Sequence, residues 1–297
     1  MLLCSRVPSS VFSVPRPAWL GGWAAIGWPK IALWALIAAL ILVLAVARTA
    51  LAASPSARPS ARIADVIDGD TVVLERAIDG AREVRLVGLQ APKLPLSRPG
   101  FKTWPLADEA RAALAAIAQN REVTLIRTGQ GVDRHRRLLA HLERSDGLWL
   151  QGEMLRTGFA RVYTFADNRG RAREMFSLER EARAARRGIW RHPFYAIRKA
   201  DAIEAADIGT FQLVQGTVRK AARVKNHVYL NFGADWRTDF TISIAARDLK
   251  LFEQAGLDLL ALEGRTVRVR GWLDSYNGPA IEADHPEQIE VLERPDG

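Results

Sequence analysis

From Arg62 onward the chain alternates apolar and polar residues in short runs, a period of two that predicts β-strands. Residues 62–74 read as a β-hairpin with a tight turn at Asp68-Gly69, after which Val72 and Leu74 alternate with other residues. A third strand over residues 83–89 is stopped by Pro92, which has no N–H to pair. The spacing then becomes helical: Pro105 opens the helix, Asp108 and Glu109 suit its positive N-terminal end, and Leu106, Ala110, Ala113, Leu114 and Ile117 make one face. Strands return at residues 122–127, 138–143 and around 148–150, and a last helix over residues 171–187 ends at Gly188. Residues 191–207 have weak periodicity. Beyond them the pattern predicts strands at 211–218, 228–232, 240–244, 266–272 and 288–292, a helix at 246–254, and a hairpin turn at Asn277-Gly278.

Residues 31–47 break this pattern with an uncharged apolar run, preceded by Lys30 and by Trp19, Trp23 and Trp28. Its length lies between a signal-peptide core and a full span of about 20 residues, so a cleaved leader and a retained anchor are both open. Ala50-Leu51-Ala52 offers a small-x-small cleavage site after Ala52, and Ser-Pro-Ser-Ala-Arg-Pro-Ser follows as a linker. Basic residues ahead of the run favour an N-terminus inside, which puts the remainder across the membrane. The chain is then membrane-anchored facing the periplasm or exterior, or secreted if cleaved. The expected organisation is a signal or anchor over 1–53, a linker over 54–61, one domain over 62–190, a second linker over 191–209, and another domain over 210–293.

Composition narrows the class. With 297 residues, 48% hydrophobic and 25% charged, the chain can bury two ordinary cores and is not wholly disordered. A single cysteine, Cys4, excludes a disulfide framework and a cysteine zinc site. The net charge of +9 is unevenly spread: residues 1–61 hold five basic residues and no acid, residues 62–190 hold 23 Lys/Arg against 17 Asp/Glu, and residues 191–297 hold 14 against 16. Any surface for a polyanion therefore belongs to residues 62–190.

Five strings in the middle of the chain carry a family resemblance. They are Val66-Ile67-Asp68-Gly69-Asp70-Thr71-Val72, Val84-Arg85-Leu86, Asp133 through Ala140 (Asp-Arg-His-Arg-Arg-Leu-Leu-Ala), Gly158-Phe159-Ala160-Arg161-Val162-Tyr163, and Gly188-Ile189-Trp190. In their order and spacing they resemble the staphylococcal nuclease-like (thermonuclease) family. That resemblance implies a mainly β fold with helices, of the α+β class, in which an OB-type barrel is followed here by a second OB-like barrel. It also implies a calcium-dependent phosphodiesterase: carboxylates hold Ca²⁺ against the phosphate, guanidiniums stabilise the developing charge, and a carboxylate base activates water. Asp70 would be the metal carboxylate, and Arg85 and Arg137 the catalytic phosphate-binding arginines.

The departures from the family pattern fall together. Where the family reads Asp-Thr-Pro-Glu, this chain reads Gln90-Ala91-Pro92-Lys93, so a metal carboxylate has become Gln90 and the base has become Lys93. Gln90 keeps one neutral oxygen for a metal, and Ala91 could offer a backbone carbonyl. No acid lies between Glu83 and Asp108 to replace the base. A lysine is poorly suited as a base at neutral pH, but Lys93 could supply positive charge to a phosphate. Asp68 reads as a turn residue and Asp133 as a structural one. Tyr163 and Phe165 suit either base stacking or the core. Two functions follow. One is a nuclease acting on DNA or RNA outside the cytoplasm with weak calcium binding; the other is a degenerate module that binds nucleic acid or a protein without cutting.

Overall fold

The computed structural model describes residues 58–292. The apolar run 31–47, with the leader and membrane reading built on it, lies outside the described residues; among these, no helix is long and apolar enough to cross a membrane.

The first half contains β1 (Ser60–Asp68), β2 (Thr71–Ile78), β3 (Ala81–Leu86), β4 (Gly88–Gln90), α1 (Ala107–Ala118), β5 (Glu122–Ile126), β6 (Leu138–Arg144), α2 (Leu150–Arg156), β7 (Arg161–Tyr163) and α3 (Ala172–Ala184). Five of the strands close into a barrel in the order β1-β2-β3-β6-β5, with β3 and β6 parallel and the other pairs antiparallel. Closure leaves no unpaired sheet edge, and the inward residues (Ile63, Val72, Leu74, Val84, Leu86, Val123, Leu125, Ala140 and Leu142 among them) fill the interior. Helix α1 adds Ala110, Leu114 and Ala118 to this core, and the two alanines let it lie close.

The strand expected around residues 148–150 is not formed. Trp149 makes one isolated bridge to Glu143, and Leu150 begins α2, whose Leu150, Met154 and Leu155 are buried at helical spacing. Seven residues are too few to display that period, and Gly152, usually a helix breaker, is there because a Cβ would sit 2.5 Å from the Trp149 ring.

The second half contains β8 (Arg198–Lys199), β9 (Phe211–Thr217), β10 (Lys220–Val224), β11 (His227–Asn231), β12 (Thr241–Ile244), α4 (Leu249–Gln254), β13 (Thr266–Trp272), β14 (Asp274–Ser275), β15 (Pro279–Glu282) and β16 (Ile289–Val291). Where the sequence predicts a second OB-like barrel, these strands form two sheets, β10-β11-β12-β15-β14 and β16-β13-β9-β8, around one shared core that includes Val214, Leu230, Ile242, Val267, Val269 and Ile281. Residues 191–209, expected as a linker, include β8 paired in parallel with β9, and Tyr195 is buried with Trp104, Ile189 and Phe211. Arg270 on β13 reaches Glu179 on α3 at 2.9 and 3.1 Å and donates to the Val162 carbonyl on β7, tying the second half to the first.

Candidate active site

Asp70, Arg85 and Lys93 meet beside the β1–β2 turn. Gly69 is required there because a Cβ would lie 2.5 Å from the Ala91 Cβ and 2.9 Å from the Ala110 Cβ, so the turn is pressed between the segment after β4 and helix α1. Asp68 Oδ1 accepts the Asp70 N–H at 3.0 Å, which closes the turn and sends the Asp70 side chain inward. Asp70 is fully buried.

Four positive or polar groups converge on Asp70. Its Oδ2 lies 2.5 Å from the Lys93 Nζ and 3.3 Å from the Arg85 guanidinium, and it accepts the Ala91 N–H at 3.0 Å. Its Oδ1 accepts from the Thr71 hydroxyl at 3.2 Å. Lys93 also lies 3.6 Å from Asp68 Oδ2. Burial pushes the Asp70 carboxyl up, but Arg85 and Lys93 pull it down harder and hold it well below the usual carboxylate range. Burial, and then the charge of Asp70, push the Asp68 carboxyl up, so the negative charge of the pair is concentrated on Asp70.

Arg85 is buried and braces the backbone. It donates to the carbonyls of Leu86 at 2.7 Å and Leu89 at 2.6 Å, on both sides of Gly88, whose φ of +84° turns the chain between β3 and β4. Arg137 faces the same turn through Thr71 Oγ1 at 3.5 Å but is held by Asp133, with two nitrogens at 2.8 and 2.7 Å. Asp133 also accepts the N–H groups of His135 and Arg137, the structural role the sequence suggests.

Gln90 and Tyr163 lead elsewhere. The Gln90 side-chain oxygen accepts from Arg161 at 3.4 Å, its partner across the β4–β7 pair. Arg161 is itself buried beneath Phe211, whose ring centre is 4.6 Å from the guanidinium, and burial pushes it down to about 10. The Tyr163 ring packs 4.6 Å from Phe165 and 4.9 Å from Phe211, and its hydroxyl accepts the Trp272 indole N–H at 3.2 Å. Of the two uses open to Tyr163, this is the core one.

A calcium ion needs six to eight oxygen ligands. Among the described residues no group of three or more His, Cys, Asp or Glu could hold a metal ion, and the two carboxylates at this turn already face a lysine. The residues present do not fit a resident calcium. Ala91, whose carbonyl the sequence reading offers to a metal, gives its N–H to Asp70.

The sequence reading missed two members of this site's surroundings. Asp68 looked like a turn residue and is one, but it is also buried beside Lys93; its place two residues before an inward carboxylate was the available signal. Arg161 gave none, since a lone arginine between apolar residues reads as solvent-facing.

Residues 83–192 match the family model described as Staphylococcal nuclease homologue, and the closed barrel they help build is a domain of that kind. No curated protein matches the chain.

Proposed function

We propose that this staphylococcal nuclease-like domain binds nucleic acid and does not cut it by a calcium-dependent route. One observation carries the reading: the Lys93 ammonium rests 2.5 Å from Asp70 Oδ2. A cation supplied by the chain itself compensates that carboxylate, and a dication would have to displace it and leave it without its partner. The missing base points the same way, since no acid occurs between Glu83 and Asp108.

Binding is supported by the family match and by the excess of 23 Lys/Arg over 17 Asp/Glu in residues 62–190. Arg134 and Arg136 are exposed in the connection between β5 and β6 and make no ion pair among the described residues. Such side chains reach phosphates without reading sequence, so affinity should fall steeply with salt. The leader reading adds a location outside the cytoplasmic membrane, supported by the apolar run 31–47; an alkaline phosphatase fusion after Trp190 should be active, and a silent fusion would overturn it.

The test of binding without cleavage uses the full chain, single-stranded DNA and Ca²⁺, Mg²⁺, Mn²⁺ or chelator in turn. The DNA should be retained on filters in chelator, released by added salt, and left intact with every metal. The double substitution Gln90→Asp with Lys93→Glu should confer calcium binding measurable by calorimetry. Cleavage in calcium by the natural chain, at a rate the double variant does not exceed, would sink the proposal.

A further inference from the structure

We propose that the outer face of the sheet β10-β11-β12-β15-β14 is a binding site for a neutral oligosaccharide. The argument is independent of the first barrel. Side chains alternate across a strand, so while Leu230 and Ile242 enter the core, Tyr229 and Asn231 on β11 and Thr241 and Ser243 on β12 line the opposite face. There they floor a groove of about 750 Å³, within the usual size of a ligand site. Ala222 and Ala280 keep the floor low.

Two aromatic side chains stand in this groove at high exposure, Trp236 at 52% and Tyr276 at 75%, with Tyr229 beside them. Large aromatic rings left in water around a concavity offer flat apolar faces with polar edges. The polar groups between them face water and are free to meet a ligand. Asn231 Oδ1 accepts from Thr241 at 3.2 Å, which leaves its amide N–H groups without a partner, and the Ser243 hydroxyl and the Asp274 carboxylate have none either among the described residues.

This combination selects the ligand. A pyranose ring has an apolar C–H face that stacks on an aromatic ring and hydroxyls that both donate and accept, which suits free amide N–H groups, a hydroxyl and a carboxylate at once. A nucleic acid is disfavoured: Lys220, the cation in the lining, lies 3.3 Å from Glu263, Glu282 is paired with Arg247 at 2.7 Å, and the carboxylate left over, Asp274, would repel phosphate. A proline-rich peptide has carbonyls for the Asn231 amide but no N–H groups for the Asp274 carboxylate.

Calorimetric titration of the full chain with cellotetraose, maltotetraose and chitotetraose tests this. At least one should bind with a dissociation constant of about 1 mM or tighter, unchanged by salt. Trp236→Ala and Tyr276→Ala should each weaken it by about tenfold or more while leaving the urea midpoint unchanged, since both side chains are exposed. Absence of binding by all three sugars up to about 10 mM overturns the proposal, as does sugar binding that neither substitution alters. Binding of oligo-dT or of a proline-rich peptide that Trp236→Ala abolishes also overturns it and gives the groove to that partner.

Discussion

The charges around Asp70 and those around Glu179 are both buried carboxylate–cation sets, yet they differ in who can reach them. Glu179 and Arg270 are 1% and 2% exposed in their side chains, and the groups that meet there come from α3, β7, β13 and β16 in both halves of the chain. Around Asp70 the cation Lys93 is 17% exposed, on a flexible stem that follows β4. The nearest cation of Glu179 is shut in from both halves, and the members of that set that reach water, Arg183 and Glu290, are its outer ones; the nearest cation of Asp70 itself keeps a path to water. The same chemistry therefore works as a clamp between the halves in one place and leaves the carboxylate's nearest cation part-exposed in the other.

Several substitutions separate these roles. Glu179→Ala leaves Arg270 buried with Glu290 as its one remaining carboxylate and removes the acceptor of the Val162 N–H, so it should lower stability by about 3–5 kcal/mol in urea unfolding. A loss below about 1 kcal/mol would show that the clamp is ornamental.

A buried group without a counter-charge sharpens the contrast. Burial, followed by the charge of Arg171, pushes the His141 imidazole down to about 4 from 6.5, and its Nδ1 has no hydrogen-bond partner among the described residues. The unfolded chain then takes up the proton first. Stability present above about pH 6.5 should be lost as pH falls toward about 4, by about 3 kcal/mol in all, and His141→Leu should flatten that part of the profile.

Lys93→Met comes next. Asp70 keeps Arg85 and the Ala91 N–H, so the cost should be about 1.5–2 kcal/mol, less than at Glu179. A cost equal to that of Glu179→Ala would mean that Lys93 is as locked as Arg270. The smallest effect belongs to Arg137→Ala, whose pair with Asp133 is 25% and 16% exposed; it should change the urea midpoint by less than about 1 kcal/mol equivalent.

Elements whose burial alternates along one strand were legible in advance. β13 runs over Thr266–Trp272 as the pattern 266–272 predicts, because Val267 and Val269 alternate with polar residues. β10 was not, since Lys-Ala-Ala-Arg-Val shows no alternation and owes its pairing to β11. The site was legible in its residue types, with Asp70 and Arg85 brought together as the resemblance implies. Its wiring was not: Lys93 finds Asp70 across 23 positions and Gln90 finds Arg161 across 71, contacts that only the closed barrel and the β4–β7 pair create. The groove escaped notice because its aromatics lie in separate loops, Trp236 before β12 and Tyr276 between β14 and β15.

The clamp also has a place in time. Glu179 and Arg270 are 91 residues apart. Synthesis at about 5–20 residues per second puts on the order of 5–20 s between their emergence from the ribosome. In that interval α3 carries a carboxylate whose side-chain partner is Arg183, at 3.3 Å. The buried counter-charge of α3 is thus supplied by a strand synthesised after every residue of the first barrel, which makes the tie between α3 and β13 a late closure of the chain on itself.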